Sequence, residues 1–271
     1  NTPVVEGHML NEYRYRSVYK GNGKYFNADG SVNPAGGPKG GMIRTEEDMN
    51  WVKAMMDAGY KFKPGNSIGK ANIYYGDYIY ADVNGDGVYG DSDDEEFQGR
   101  SKTPKYNFGF QASAAWNGFD ISMVWAGAAG FDIYWGPTAG YNAAKTEWGN
   151  NIAQRIADDH YFYDPSNPDD PRTNINGKYP RMTYLDGNVQ NNASSNRWLY
   201  NGDYIKLKNL SLGYTLPQKW VTKVAMQNAR IYVSAENLLT ITSFEGQDPE
   251  SATGMGYAPF RSIAIDANIT F

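Results

Sequence analysis

Oxygen-bearing side chains recur at the spacing of a calcium-binding loop in residues 81–95, which read ADVNGDGVYGDSDDE. A hard cation such as Ca²⁺ takes oxygen ligands at positions 1, 3, 5, 7 and 12 of such a loop, and a glycine at position 6, here Gly87, allows the sharp turn. The candidate ligands are Asp82, Asn84, Asp86, the carbonyl oxygen of Val88, and Asp93. The pattern therefore predicts a structural Ca²⁺ site.

The loop departs from the usual calcium-binding pattern in two respects. Position 12 usually holds a bidentate glutamate, and Asp93 has a shorter side chain. No pair of helices is predicted to flank the loop, so it is not an EF-hand. The alternative is a metal-free loop closed by hydrogen bonds from its own Asp and Asn side chains. Under either interpretation the loop stabilises a surface connection and does not by itself define a function.

Two other groups of titratable residues suggest catalysis, but neither forms a convincing active site. The run Asp93–Glu96 offers paired carboxylates, as in a glycosidase, yet a polar loop leaves them solvated and gives no apolar pocket to raise a pKa. His160 follows Asp158 and Asp159 and is interpreted as a loop histidine. The absence of cysteine excludes thiol catalysis, and the presence of only one other histidine, His8, argues against a multi-histidine zinc site. We therefore predict that the protein is not an enzyme.

The composition favours a many-stranded β-structure. Aromatic residues make up 15% of the 271 residues, alongside 30 glycines, and aromatics suit pleated surfaces while glycines suit turns. The net charge of −5, without a basic block, argues against a nucleic-acid partner. The sequence contains no apolar run of about 18 residues that would form a transmembrane helix. A transmembrane β-barrel remains possible, because its apolar residues occupy alternate positions.

Alternation of apolar and polar residues identifies the strands. Six are predicted, at about 10–19, 105–117, 118–128, 203–216, 229–242 and 261–271. Asn117-Gly118 between two alternating runs predicts a tight hairpin, because both turn positions require a positive φ. A change of phase near Lys208–Asn209 predicts a β-bulge.

The connections are of two kinds. Residues 117–118 and 217–227 are short links, whereas residues 22–80 and 130–200 form long polar segments. The first long segment contains a predicted helix, Thr45–Ala58, with a capping box and a terminating glycine, and a short helix is predicted around Glu147–Asp158. Short turns at one end and long loops at the other are typical of outer-membrane barrels. Such barrels have about eight strands or more, so most of this barrel would lie outside the sequence.

The order of several segments resembles the C-terminal part of the SusC/RagA-type TonB-dependent outer-membrane transporters of Bacteroidetes. The segments are YGDYIYADVNGDG, TPKYNFGFQASAAWNGFDISMVWAGAAGFDIY, NRWLYNGDYIKLKNLSLGYTLPQKW, ARIYVSAENLLTIT with EGQDPE, and a last strand that ends in Phe271. The resemblance implies an all-β fold, a barrel of about 22 strands of which these are the last. It also implies that a plug domain and a TonB-contacting segment lie upstream. The chain starts at Asn1 without a methionine, which is expected either if a signal sequence was removed or if the chain is the tail of a longer protein. The terminal phenylalanine resembles a barrel-assembly signal.

The family resemblance also implies a function and partners. The protein would import a nutrient, glycan or peptide fragments, across the outer membrane of a Gram-negative bacterium. Its partners would be the rest of the barrel and the plug, a SusD-like lipoprotein lid, the TonB complex and outer-membrane lipid. The polar strand face, with Arg230, Glu236, Asp266 and Asn268, would line the lumen. The alternative is a secreted, calcium-stabilised β-sandwich that binds carbohydrate; an extracellular hydrolase is a weaker third possibility.

The aromatic residues allow either packing or ligand contact. Those in or near the long loops are Trp135, Trp148, Tyr161, Tyr163, Trp198 and Tyr200, and we favour packing over sugar stacking. Trp116, Phe119 and Trp125 lie in strands and are predicted to face lipid or to form an interfacial girdle. The apolar stripe of the helix at 45–58 is predicted to pack on its own loops rather than on a partner.

Overall fold

The computed structural model describes residues 4–136, 154–183, 189–251 and 259–271, which form two units. The loop unit comprises Asn1–Arg100 and Tyr134–Leu199, and the sheet unit comprises Ser101–Ile133 and Tyr200–Phe271. The described strands are β1 (Glu12–Arg16), β2 (Lys61–Phe62), β3 (Val88–Tyr89), β4 (Glu95–Ser101), β5 (Tyr106–Trp116), β6 (Phe119–Ala129), β7 (Asp132–Tyr134), β8 (Leu199–Asn201), β9 (Tyr204–Thr215), β10 (Asn228–Thr242) and β11 (Ser262–Thr270). The described helices are α1 (Glu46–Asp57), α2 (Gln154–Asp158) and α3 (Gln218–Val221).

The sheet unit is one antiparallel sheet in the order β11-β10-β9-β6-β5. Strands β5 and β6 are joined by Asn117 and Gly118, whose φ angles are 49° and 85°, so the predicted hairpin turn is confirmed. The link between β9 and β10 carries α3 and the 3-10 turn Thr222–Val224. Because the strands are antiparallel, both short connections lie at one end of the sheet, and the long connections leave from the other end.

Strand register sorts the side chains of this sheet onto an apolar and a polar face. One row of paired residues on the apolar face runs through all five strands as Ala114, Ile121, Leu212, Val233 and Ile265. The next row, on the polar face, is Ser113, Ser122, Ser211, Ser234 and Ala264. The predicted polar-face residues Arg230, Asp266 and Asn268 lie in register with these polar rows. Alternation at period two therefore produces a two-faced sheet.

A β-bulge interrupts the regular ladder between β6 and β9. Val124 pairs with Asn209 and Trp125 pairs with Leu207, which leaves Lys208 as an extra residue and confirms the predicted bulge.

On the polar face Arg230 of β10 reaches across β9 and binds Asp120 of β6 through two bonds of 2.8 and 2.6 Å. A Cβ on Gly213 would lie 2.5 Å from the Asp120 carboxylate and closer still to Arg230. Glycine at this position therefore permits the ion pair.

The loop unit has its own hydrophobic core around α1. Thr45 Oγ1 accepts the Asp48 amide while the Asp48 carboxylate accepts the Thr45 amide, so the predicted capping box is present. The apolar stripe of the helix packs against loop residues in a cluster that includes Met49, Trp51, Val52, Met55, Phe62, Ile73 and Ile79. The prediction that this stripe packs on the protein's own loops is confirmed.

The strand predicted at 10–19 differs from its prediction. The structure has a shorter strand, β1, which pairs with β4 and not with the five-stranded sheet. Five residues are too few to cross a hydrocarbon layer, and Arg14 and Arg16 instead bind Glu95 of β4.

Of the helix predicted at 147–158, only α2 falls among the described residues. No helix in the described ranges is long and apolar enough to span a membrane.

Candidate functional site

In the predicted calcium loop, the Asp and Asn side chains accept hydrogen bonds from backbone amides of the same loop. Asp82 accepts the Gly85 and Gly87 amides at 2.7 and 2.9 Å, one on each carboxylate oxygen. Asn84 Oδ1 accepts the Asp86 amide at 2.9 Å. Asp86 in turn accepts the Val88 amide at 2.8 Å. The loop is therefore a series of Asx-type turns, in which each carboxylate oxygen retains a further lone pair for a ligand.

Asp94 is the central residue of this loop, and the spacing analysis did not identify it. Its side chain is buried, and its two oxygens accept the amides of Val83 and Gly90 at 2.6 and 2.7 Å, with longer bonds from Asn84 and Asp91. A carboxylate that accepts several amides fixes the path of the backbone. Asp93, the predicted ligand at position 12 of the loop, does not accept any of these bonds. Its own amide donates to the Asp91 side chain. Within the described part of the chain, no three His, Asp or Glu side chains are gathered as a metal would require.

The residues considered for catalysis have separate structural contacts. Glu95 pairs with Arg16 at 3.1 Å, and Glu96 accepts the Ser17 hydroxyl. The Nδ1 of His160 contacts the carbonyl oxygen of Ala157 at 2.8 Å, and because a carbonyl only accepts, this nitrogen carries the proton. Each of these residues thus has a separate structural partner, and the structure does not bring them together in one site.

A buried ion pair fixes the centre of the loop unit. Arg181 donates to both oxygens of Asp77, at 2.7 and 3.1 Å, and Asn191 donates to the same carboxylate at 2.8 Å. Burial raises the pKa of Asp77 to about 6, although Arg181 opposes the shift. The Arg181 guanidinium also lies 5.4 Å from the centre of the Tyr74 ring. This network holds together two segments 104 residues apart in sequence.

Most of the loop aromatics that the structure describes are packed. Trp135, Tyr161 and Trp198 are buried, and the Tyr161 hydroxyl donates to the Arg44 carbonyl oxygen. Tyr163 differs, because it is partly exposed and its ring contacts that of Tyr75 at 5.2 Å. Trp148 lies outside the described residues.

The loop that follows β10 is attached to the polar face of the sheet unit. Its DPE segment (Asp248, Pro249 and Glu250) contributes both carboxylates. Lys206 Nζ, which is buried on β9, donates to both oxygens of Asp248 at 2.6 Å and to Glu250 at 2.8 Å. Lys208 adds a 2.6 Å bond to Glu250. The two lysines therefore fix the DPE segment to the strand.

Loss of Lys206 should release this segment. Lys206→Met removes three charge-assisted bonds, and we expect local opening to become easier by about 2 kcal/mol. Hydrogen exchange of residues 244–251 in the full-length protein should accelerate by roughly tenfold or more. Lys208→Met is the matched control and should have a smaller effect, since this lysine is partly exposed and makes one bond. Equal exchange in Lys206→Met and the unmodified protein would contradict the assignment.

Acid should release the same segment. Burial alone would raise the pKa of Glu250, but hydrogen bonds from Lys206, Lys208 and Tyr204 outweigh it and hold that pKa at about 2, below its ordinary value of 4.5. The contribution of Glu250 is thus complete above pH about 4.5 and is lost as the pH falls towards about 2.

The chain is similar to several known proteins, although no family model matches it. TonB-dependent receptor P3 of Formosa agariphila is 30% identical over 193 residues, which are 71% of this chain and 17% of the receptor. TonB-dependent receptor P26 of the same organism is 26% identical over 225 residues, 71% of this chain and 19% of the receptor. The chain thus spans about a fifth of the length of these relatives.

Solved structures show the same fold. The RagAB peptide importer in its closed-closed state matches with a TM-score of 0.53 and 22% identity, over 78% of this chain and 22% of that chain. A second structure, the RagAB peptide transporter, matches with a TM-score of 0.52 and 21% identity over the same shares. The open sheet of the sheet unit therefore has the all-β fold of part of a RagA barrel, and the predicted fold class is confirmed.

Both comparisons agree with the order of motifs in the sequence. The fold and the two-faced sheet define the class, an open sheet with the all-β fold of part of a barrel protein. The chain is similar to TonB-dependent receptors over 71% of its length, and its fold matches part of the RagAB transporters. The sandwich alternative is not supported, because it requires a second sheet over the apolar face, and there Ile265 is 78% exposed.

Proposed function

We propose that the chain is part of a TonB-dependent transporter that imports a nutrient across the outer membrane of a Gram-negative bacterium. The observation that carries the proposal is the similarity to TonB-dependent receptors over 71% of the chain, joined to a sheet with one apolar and one polar face. The nutrient is a glycan or a peptide fragment. In this proposal the protein performs no chemistry on the nutrient.

The two faces of the sheet have different roles in this proposal. The apolar face contacts lipid, where it requires no second layer of protein. The polar face, with the Arg230–Asp120 ion pair and the Lys206–Asp248 ion pair, lines the lumen. The long connections leave the sheet opposite its short turns, so that end of the sheet faces the extracellular side in this proposal.

Partners complete the transporter in this proposal. The rest of the barrel and a plug domain close the pore, a SusD-like lipoprotein covers the extracellular side, and the TonB complex supplies energy. The RagAB name of the structural neighbours supports a two-component assembly for this chain.

Fractionation and uptake together test the proposal. An antibody against residues 165–172 should detect, in the outer-membrane fraction, a denatured polypeptide several times larger than 30.2 kDa. Cells should deplete a mixture of labelled oligosaccharides and peptides from the medium faster than cells lacking the gene, and inactivation of TonB should remove the difference. A soluble polypeptide near 30.2 kDa, or uptake that is independent of TonB, would overturn the proposal.

We also propose that the loop at 82–93 binds Ca²⁺ through Asp82, Asn84, Asp86, the Val88 carbonyl oxygen and Asp93. The support is the ligand spacing, together with the lone pairs that the Asp82 and Asp86 carboxylate oxygens retain after accepting backbone amides. A bound cation would offset their mutual repulsion and stabilise the connection that precedes β4.

Calcium should stabilise the loop unit if this site exists. Millimolar Ca²⁺ should slow hydrogen exchange of residues 82–93 in the full-length protein, and Asp86→Ala should abolish the effect because it removes the ligand at position 5. Asp91→Asn is the control, since Asp91 lies in the loop outside the ligand set and should retain the response. Identical exchange with Ca²⁺ and with a chelator would exclude the site.

A further inference from the structure

A cleft of about 330 Å³ opens in the loop unit, within the size range of small-ligand sites. Three stretches of chain, near residues 70–75, 160–166 and 181–182, contribute its walls. Its aromatic lining includes Tyr74, Tyr75 and Tyr163, and its polar lining includes Lys70, His160 and Asp164. None of these residues belongs to the calcium loop or to the DPE segment.

The walls are held in place by the buried Asp77–Arg181 pair. Gly76, with a φ of 83°, turns the chain between Tyr75 and Asp77, and a Cβ there would lie 2.8 Å from Arg181 and closer to Tyr161. Asp77 also accepts the Tyr74 amide at 2.9 Å. The tyrosine wall is thus fixed by the core of the loop unit, so the cleft is preformed.

The cleft offers aromatic surface together with donors and acceptors of both charges. The rings of Tyr74, Tyr75 and Tyr163 form successive edge-to-face contacts, with centres 5.4 and 5.2 Å apart. Lys70 supplies a cation and Asp164 an anion, and the charge of Arg181 is paired with that of Asp77, so the lining has no strong preference for a charged ligand. His160 donates from Nδ1 to the Ala157 carbonyl oxygen, so in this tautomer Nε2 is the acceptor. This set matches a ligand with apolar ring faces and many hydroxyl groups.

At several lining positions the backbone amide is already hydrogen-bonded within the protein. Tyr161 and Phe162 donate their amides to the carbonyl oxygens of Tyr179 and Asn174, and Arg181 donates its amide to that of Gly76. The Ser166 amide binds the Asp164 side chain. An extended peptide bound by strand addition needs free backbone amides, and these four amides are not free. Recognition here depends on side chains, which favours a sugar over a peptide.

We propose that this cleft binds a short stretch of a neutral oligosaccharide, with sugar rings on Tyr75 and Tyr163 and hydroxyl groups on Lys70, His160 and Asp164. The inference rests on the proposed function, because it names the class of nutrient that the transporter captures. It assigns the cleft to capture on the loop unit and assigns no role to the sheet.

Binding to arrayed ligands tests the proposal. The full-length protein, purified in detergent, is applied to arrays of neutral oligosaccharides and of neutral peptides. It should bind at least one oligosaccharide, and Tyr163→Ala should weaken that binding by about tenfold or more, as expected for loss of an aromatic contact. Tyr163→Phe retains the ring and should retain most of the affinity. Lys70→Ala, a change at an exposed side chain that leaves the fold intact, should also weaken binding.

The controls separate this proposal from the one on transport. Phe26→Ala removes an exposed aromatic of the loop unit outside the cleft lining and should leave oligosaccharide binding unchanged. Binding to peptides alone, binding to no oligosaccharide, or oligosaccharide binding unaffected by Tyr163→Ala and Lys70→Ala would overturn the cleft assignment, even with TonB-dependent uptake intact. Conversely, sugar binding that these variants weaken, without TonB-dependent uptake, would overturn the transport proposal alone.

Discussion

Ile265→Arg should prevent assembly of the full-length protein into the outer membrane. Ile265 lies in the middle of β11 on the apolar face, paired with Val233, and its side chain is exposed. If this face contacts lipid, an arginine near the bilayer midplane costs about 2–4 kcal/mol. The measurement is the amount of heat-modifiable, folded protein in the outer-membrane fraction, which should fall sharply.

Ala264→Arg is the matched control for this experiment. Ala264 is the preceding residue on the same strand, and it pairs with Ser234 on the polar face. An arginine there points to the proposed water-filled side, so assembly should be near normal. Normal assembly of Ile265→Arg together with failure of Ala264→Arg would reverse the assignment of the two faces.

Arg181→Met should destabilise the loop unit strongly. The substitution leaves Asp77 fully buried without its cation, and removal of one partner of a buried pair typically costs about 3–5 kcal/mol. Hydrogen exchange of residues 72–80 in the full-length protein should accelerate by roughly two to three orders of magnitude. Since Arg181 also lies against Tyr74, sugar binding at the cleft should fall as well.

The deficit of this variant should grow with pH. The pKa of Asp77 in the folded protein is raised by burial to about 6 from an ordinary value of 3.8, so its stability contribution is complete below about pH 3.8 and lost as the pH rises through about 6. Without Arg181 the folded pKa rises further, and ionisation above that range costs more. The difference between variant and unmodified protein should be larger at pH 8 than at pH 5.

Arg172→Met is the matched control, because it breaks an ion pair whose arginine is exposed, whereas Arg181→Met breaks a buried one. Arg172 also binds its partner, Asp170, through two side-chain bonds, of 2.9 and 2.7 Å, but its own side chain is 73% exposed. Exposed pairs contribute little. Exchange of residues 72–80 should be unchanged in this variant, and a change equal to that of Arg181→Met would show that burial of Asp77 is not the cause.

The sequence determined the features that depend on local pattern. Period-two alternation located the five strands of the sheet, because one buried or lipid-facing side fixes which residues share a face. Asn117-Gly118 predicted its turn from the need for positive φ, and Thr45 with Asp48 predicted the start of α1. The order of short motifs was sufficient to indicate the TonB-dependent family, since each motif is read along the chain.

The tertiary structure alone decided the partners in the long-range ion pairs. Arg181 meets Asp77 across 104 positions, Arg230 meets Asp120 across 110, and Lys206 meets Asp248 across 42. No periodicity relates such pairs, because the chain folds back through loops whose lengths do not fix their path.

The same limit explains where sequence analysis of the sites was incomplete. It assigned Asp93 by spacing, whereas the structure gives the central place in that loop to Asp94. It could identify Tyr163 as a loop aromatic but could not place it beside Tyr75, 88 residues earlier in the chain. A binding site is made by distant segments that share one space, so its composition follows from the fold, whereas the strands that carry it follow from the sequence.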